Sequence, residues 1–244
     1  MSKSFFQEIV QYNHLSFSFK IHDLLHDLSL HVAQNDYYCL IDNTKSNNNF
    51  EKARHVSIWD KNLGADEATR FLCKLSNNVR TIHFRGEWNQ AIDINKSFVE
   101  ICISKFKHLR LLDLRFSTLE ALSSSIVTLK RLKYLNLEEN MHIKKLPNSI
   151  YDLQNLETSL LGGCDDLEEL PRDIRKMVSI KYFWITTKQT CLPTNEIMSM
   201  CSLRDLFFYK CLSLESFPEG IQRLTALRRL SFSLYESLIS LHKV

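Results

Sequence analysis

The stretch from 132 to 150, LKYLNLEENMHIKKLPNSI, decides the fold. Leu132, Leu135 and Leu137 stand three and then two positions apart, Asn140 follows eight residues after the start, and Leu146-Pro147 with Ile150 closes the unit. A short extended segment points every second side chain inward. Proline has no amide donor and belongs in the loop that carries the chain back. Working outward, the same phase returns from Leu109, Leu156, Ile180, Leu203 and Leu227, at a spacing of 23 or 24 residues.

A period of this length, with apolar residues three and five positions after each start, is the leucine-rich-repeat pattern. One coil cannot bury its apolar face alone, so stacked coils must share a continuous core. The second half of each coil agrees. All four prolines share one phase, as Leu146-Pro147, Leu170-Pro171, Leu192-Pro193 and Phe217-Pro218, with an apolar residue following at Ile150, Ile174, Ile197 and Ile221. Asn140, Cys164 and Cys211 sit where a small polar or thiol side chain turns inward to satisfy loop backbone groups. The first full coil is weaker, with Ser117 at that position and Leu122-Ser123 in place of Leu-Pro. Upstream the pattern continues in degraded form through Val79, Ile82 and Phe84, and through Val56-Ser57-Ile58. It stops at Val244 just after a strand, so a stack cut short at its C-terminal side is expected.

The expected fold class is α/β, a leucine-rich-repeat solenoid or horseshoe. Four segments are expected: residues 1–41, a linker over 42–54 that is rich in asparagine and charge, irregular leading repeats over 55–108, and regular repeats over 109–244. In the first segment Leu15, Phe17 and Phe19 alternate as in a short strand. Ile21, Leu24, Leu25, Leu28 and Val32 then recur at helical spacing, predicting an amphipathic helix over about residues 20–34.

Composition narrows the function classes. No apolar run is long enough to span a membrane, and the first residues carry no secretory pattern. Seven cysteines without a Cys-x-x-Cys pair fit reduced thiols inside a cell. The net charge of +3 divides into about −3 over residues 1–44 and about +6 over the rest. Basic residues such as Lys130, Arg131 and Lys133 read as a solvated coil surface, without the interleaved aromatics that a nucleic-acid site needs. The chain contains neither a Gly-x-Ser-x-Gly elbow nor a phosphate loop. His22-Asp23-x-x-His26 is only a loose relative of the zinc-protease helix and lacks a third ligand. The expectation is a non-enzymatic binding module with no metal.

The string Phe19-Lys20-Ile21-His22-Asp23-Leu24-Leu25-His26-Asp27-Leu28, followed by a linker and then by Leu-Pro-x-x-Ile repeats, resembles plant nucleotide-binding leucine-rich-repeat disease-resistance proteins. The matching part runs from the end of the winged-helix segment into the repeats. Ile21 departs from the family's methionine, while His22 and Asp23 match it. The resemblance implies that 1–41 is a short, helical winged-helix remnant and that the chain is a cytoplasmic plant innate-immunity fragment. It implies that His22 contacts ADP beside Asp23 where a nucleotide-binding domain is present. In this chain itself, no ADP or ATP cofactor is expected.

The inner, strand-lined face is the expected binding surface, formed by side chains two, four and six positions after each start. These are Asp113, Arg115, Tyr134, Asn136, Glu138, Tyr182, Trp184, Asp205, Phe207, Tyr209 and Arg229. Tyr134, Tyr182, Trp184, Phe207 and Tyr209 are expected to form an exposed aromatic band, of the kind that anchors protein partners. The expected partners are a pathogen effector or a guarded host protein, or the nucleotide-binding domain of a receptor, with no nucleic acid. The alternative reading is a free-standing intracellular signalling scaffold built from similar repeats.

Overall fold

In a computed structural model, residues 6–11, 17–21, 23–33, 36–40, 50–59, 63–84, 94, 96–171, 173–192, 197, 199–215 and 221–233 are described. Two strands, β1 (Phe6–Gln11) and β2 (Phe17–Ile21), pair antiparallel. Helix α1 (Asp23–Ala33) follows them, within the span that the apolar spacing predicts. The alternation at Phe17 and Phe19 falls on β2; its partner β1 has no counterpart in the sequence reading. His22, Pro193 and Pro218 lie outside the described residues.

Among the described residues, the rest of the chain is built on one parallel sheet of nine strands in strict chain order. These are β3 (Tyr37–Leu40), β4 (His55–Ile58), β5 (Thr81–Phe84), β6 (Leu111–Asp113), β7 (Tyr134–Asn136), β8 (Thr158–Leu161), β9 (Tyr182–Ile185), β10 (Asp205–Tyr209) and β11 (Arg229–Ser233). Parallel neighbours in chain order require a crossover after every strand, and here each crossover is the outer half of one coil. The architecture is a leucine-rich-repeat solenoid.

Its core follows the spacing. Leu109, Leu132, Leu156, Ile180 and Leu203 at the coil starts have no measurable exposure, and neither have Leu112, Leu135 and Leu206 three positions on. In β8 that position is Ser159, buried all the same. From Leu122 onward four of the described returns are short 3₁₀ turns: Ser124–Thr128, Asn148–Asp152, Ile174–Lys176 and Ile221–Arg223. Pro147 precedes the second of these in an extended conformation. Ser123 takes the equivalent place in the first and accepts a hydrogen bond from the Ser125 amide. A side-chain cap thus replaces the conformational restriction of proline.

The leading coils are irregular because their returns are α-helices. Helix α2 (Ala65–Lys74) buries Phe71 and Leu72, and α3 (Lys96–Lys105) buries Phe98, Val99, Cys102 and Ile103. The Lys105 ammonium donates to the Leu72 carbonyl at 3.1 Å, linking α3 to the C-terminal end of α2. Paired positions are therefore 26 residues apart from His55 to Thr81 and 30 from Thr81 to Leu111.

The sheet also starts earlier than the expected segment boundaries place it. Strand β3 lies inside the segment read as a winged-helix remnant and pairs parallel with β4. The described end of the segment read as linker joins the stack, since Ala53 is buried and the Arg54 amide donates to the Asp36 carbonyl at 2.8 Å. Tyr37 to Leu40 carries too few residues to display a period, so only sheet pairing reveals it.

Candidate functional site

The inner face is organised in lateral rows, because parallel register sets equivalent residues side by side. One row runs Thr81, Leu111, Tyr134, Thr158, Tyr182, Asp205, Arg229. The next runs His83, Asp113, Asn136, Leu160, Trp184, Phe207, Ser231. Strands stand ~4.8 Å apart, so each side chain is flanked by two others in its row.

That crowding corrects the expectation of a fully exposed face. Asp113, Asn136, Asp205 and Phe207 are buried, with Asn136 at 0% and Phe207 at 8% exposure. Arg115, Tyr134, Glu138, Tyr182, Trp184 and Tyr209 are half-buried, and Arg229 is exposed. Alternation along a strand separates the inner face from the core but does not set how far neighbours cover the inner face. Asp23 opens α1.

The residues form three groups. In the first, Arg115 Nη2 donates to Asp113 Oδ2 at 2.7 Å, and His83 Nε2 lies 3.5 Å from the same oxygen. Asn136 Nδ2 donates to Glu138 Oε2 at 2.9 Å and to the Tyr134 hydroxyl at 3.3 Å. Burial pushes the Tyr134 phenol up to about 12, aided by the Asp113 charge. Burial also raises the Glu138 carboxyl, against the pull of Arg115. For Arg115 burial works downward, but Asp113, Tyr134 and Glu138 together outweigh it and hold the guanidinium above its ordinary range. The group is a charge-paired, hydrogen-bonded patch.

In the second, Trp184 packs against Phe207 with centroids 5.9 Å apart and meets Tyr209 edge-on at 6.0 Å. The indole lies across Gly162, where a Cβ would come within 2.9 Å of Nε1. That indole N–H is buried without a partner among the described residues. In the third, Arg229 Nε donates to Asp205 Oδ1 at 2.6 Å. Gly162, His83 and Leu160 were missed by the sequence reading. Gly162 sits at the sixth position after its start, and its lack of a side chain is what lets Trp184 lie flat.

At the edge of the inner face four of the regular coils turn through one left-handed residue: Phe116, Glu139, Gly163 and Lys210 have φ of 55°, 59°, 75° and 48°. The following residues supply the inward ladder. Asn140 Nδ2 donates to the Leu114 and Leu137 carbonyls at 2.9 Å each, and its Oδ1 accepts from Ser117 Oγ. Cys164 and Cys211 donate to the Leu137 and Ile185 carbonyls. Thr187, one position short of the expected phase, donates to the Leu167 carbonyl at 3.2 Å and fills the gap between the two cysteines.

Burial pushes the Cys164 thiol up to about 12 and the Cys211 thiol up to about 11. Buried thiols held in the protonated form make poor nucleophiles. Among the described residues no group of three or more His, Cys, Asp or Glu is placed to hold a metal ion, and no helix is long and apolar enough to cross a membrane.

Comparison with known proteins agrees with this geometry. Residues 90–243 match the family described as "Leucine-rich repeat region". The chain is similar to Disease resistance RPP13-like protein 4 of Arabidopsis thaliana, 29% identical over 213 residues, covering 85% of this chain and 20% of that protein. It is also similar to Disease resistance protein RML1A of the same plant, 33% identical over 109 residues, covering 44% of this chain and 11% of that one. The chain thus spans between a tenth and a fifth of these relatives' length. Among solved structures, a Leptospira interrogans leucine-rich-repeat protein superposes with a TM-score of 0.56 at 20% identity, covering 77% of this chain and 51% of that one.

Proposed function

The chain belongs to the leucine-rich repeat region family, as a repeat module of the plant disease-resistance kind, and from that premise we propose that it recognises protein ligands through the inner face of its sheet. The observation that carries this reading is the shelf of Trp184, Phe207 and Tyr209 beside paired charges on adjacent strands. Aromatic residues and arginines supply most of the binding energy at protein interfaces, and a rim of neutralised charges excludes water around them. The ligand is a pathogen effector or a guarded host protein, with a receptor's nucleotide-binding domain as the intramolecular competitor for the same face. The module is non-catalytic and works in the cytoplasm. The free-standing scaffold has less in its favour, because the relatives are disease-resistance proteins.

By the family resemblance, His22 and Asp23 serve a nucleotide only in company with a nucleotide-binding domain. Their part is then in the switch, while the sheet supplies recognition.

The test is capture of proteins from challenged plant tissue by the immobilised chain, comparing wild type with the Trp184→Ala, Tyr209→Ala double variant. Loss of two anchoring rings is expected to weaken a specific partner by about thirtyfold or more. A partner captured equally by both forms, with the variant's circular dichroism unchanged, would remove the inner face from the account.

A further inference from the structure

The sequence reading leaves the basic residues as a scattered solvated surface, but the fold gathers part of them. Coil by coil, the position just before each strand is joined to the next by a backbone hydrogen bond. The Arg80 amide donates to the Arg54 carbonyl at 2.6 Å, Arg110 to Arg80 at 2.7 Å, Lys133 to Arg110 at 2.8 Å, Glu157 to Lys133 at 2.8 Å, Lys181 to Glu157 at 2.8 Å, Arg204 to Lys181 at 2.9 Å and Arg228 to Arg204 at 2.7 Å. Seven of these eight positions are basic, in a row with the ~4.8 Å spacing of neighbouring strands.

The middle of the row neutralises itself. Glu157 accepts from both Lys133 and Lys181 at 2.6 Å. The N-terminal end does not. There Arg54, Arg80, Arg110 and Arg131, with His108 and Asn78, line a cavity of 230 Å³. Arg54 stands 3.5 Å from Asp36, which does not line the cavity. Among the described residues Arg80, Arg110 and Arg131 have no carboxylate partner, although the cations of the inner face, Arg115 and Arg229, both have one.

We infer that this cavity is a binding site for a phosphoryl-bearing anion. Four guanidinium groups, an imidazole and a carboxamide present hydrogen-bond donors, and no carboxylate lines the space. Guanidinium forks match the paired oxygens of a phosphoryl group and remain charged at any physiological pH. An anion between the rungs relieves the repulsion of like charges stacked at strand spacing. No Phe, Tyr or Trp ring lines the cavity, so the broad stacking platform that a nucleic-acid strand uses is absent. The absence of apolar side chains leaves no seat for a lipid tail. The site lies at the start of the strands of the leading coils, whereas the aromatic shelf is built on β9 and β10, so it stands independently of the recognition proposed for that face.

The test is isothermal titration of the full chain, at physiological salt, with inorganic triphosphate, a phosphoserine peptide, and the same peptide carrying serine or glutamate. Saturable one-to-one binding of a phosphorylated probe is expected. It should weaken at least tenfold in Arg80→Gln, Arg110→Gln and persist in Arg204→Gln, Arg228→Gln, which alters the far end of the row. All four replaced arginines keep solvent contact, and circular dichroism checks that each variant stays folded. Tighter binding of triphosphate identifies a free polyphosphate as the source, and tighter binding of the phosphopeptide identifies a modified protein segment. Either result upholds the site. No saturable binding, equal loss in both double variants, or a glutamate peptide binding as well as the phosphopeptide would overturn it.

Discussion

Gly163 is the one glycine among the four left-handed residues that close four of the regular coils, at φ 75°, and a Cβ there would come within 2.5 Å of the Glu139 carboxyl carbon. The carboxylate is the far end of a flexible side chain and can swing away. The backbone cannot, so Gly163→Ala is expected to cost about 1 kcal/mol, read as a lower midpoint in urea unfolding. Phe116, Glu139 and Lys210 already bear that cost in their own coils. Glu157 gives a second prediction at this scale. Hydrogen bonds from Lys133 and then Lys181 hold its carboxyl down at about 2, below the ordinary 4.5. A depressed folded-state value means that the bridge adds stability above about pH 4.5 and loses it as pH falls through about 2. The melting temperature of wild type should exceed that of Glu157→Gln by a small margin at neutral pH, since the bridge is solvent-screened. The margin should shrink across that window, and a constant one would show that the bridge contributes nothing.

At the scale of the element, a strand's contribution depends on whether another coil covers it. Leu135 in β7 has coils on both sides and no exposure, whereas Leu230 at the equivalent place in β11 is 37% exposed. Leu135→Ala should destabilise by about 2–5 kcal/mol and Leu230→Ala by about 1 kcal/mol or less, measured by the same denaturant titration. Similar costs at the two sites would mean that the described edge is covered in solution. The irregular coils belong to this scale as well. Their helical returns, α2 and α3, bury Phe71, Leu72, Phe98 and Ile103. These helices lengthen the period to 26 and 30 residues and so blur it in the sequence.

For the whole molecule, stability in a solenoid is close to a sum of coil terms and nearest-neighbour interfaces. Central coils, with two interfaces each, should open last. Amide hydrogen exchange is therefore expected to be slowest in β7, β8 and β9 and at least about tenfold faster in β3 and β11. Uniform protection from β3 to β11 would show instead that the described array unfolds as one unit.

The sequence by itself determined the solenoid, the strand phase of the regular coils, the inward ladder at Asn140, Cys164 and Cys211, and most of the residues on the inner face. All of these are local: each coil writes its own spacing within 23 or 24 residues, and a parallel register copies it sideways. Tertiary structure decided what depends on neighbours from different coils. It buried Asp113, Asn136 and Phe207 beneath adjoining side chains, laid Trp184 over Gly162, brought Thr187 into the ladder, and added Tyr37–Leu40 to the sheet. It also drew Arg54, Arg80, Arg110 and Arg131 around one cavity. Their sequence separations are unequal because helical returns of different length lie between the first three and Arg131 stands two positions before Lys133 in the row, and only stacking brings them around one space.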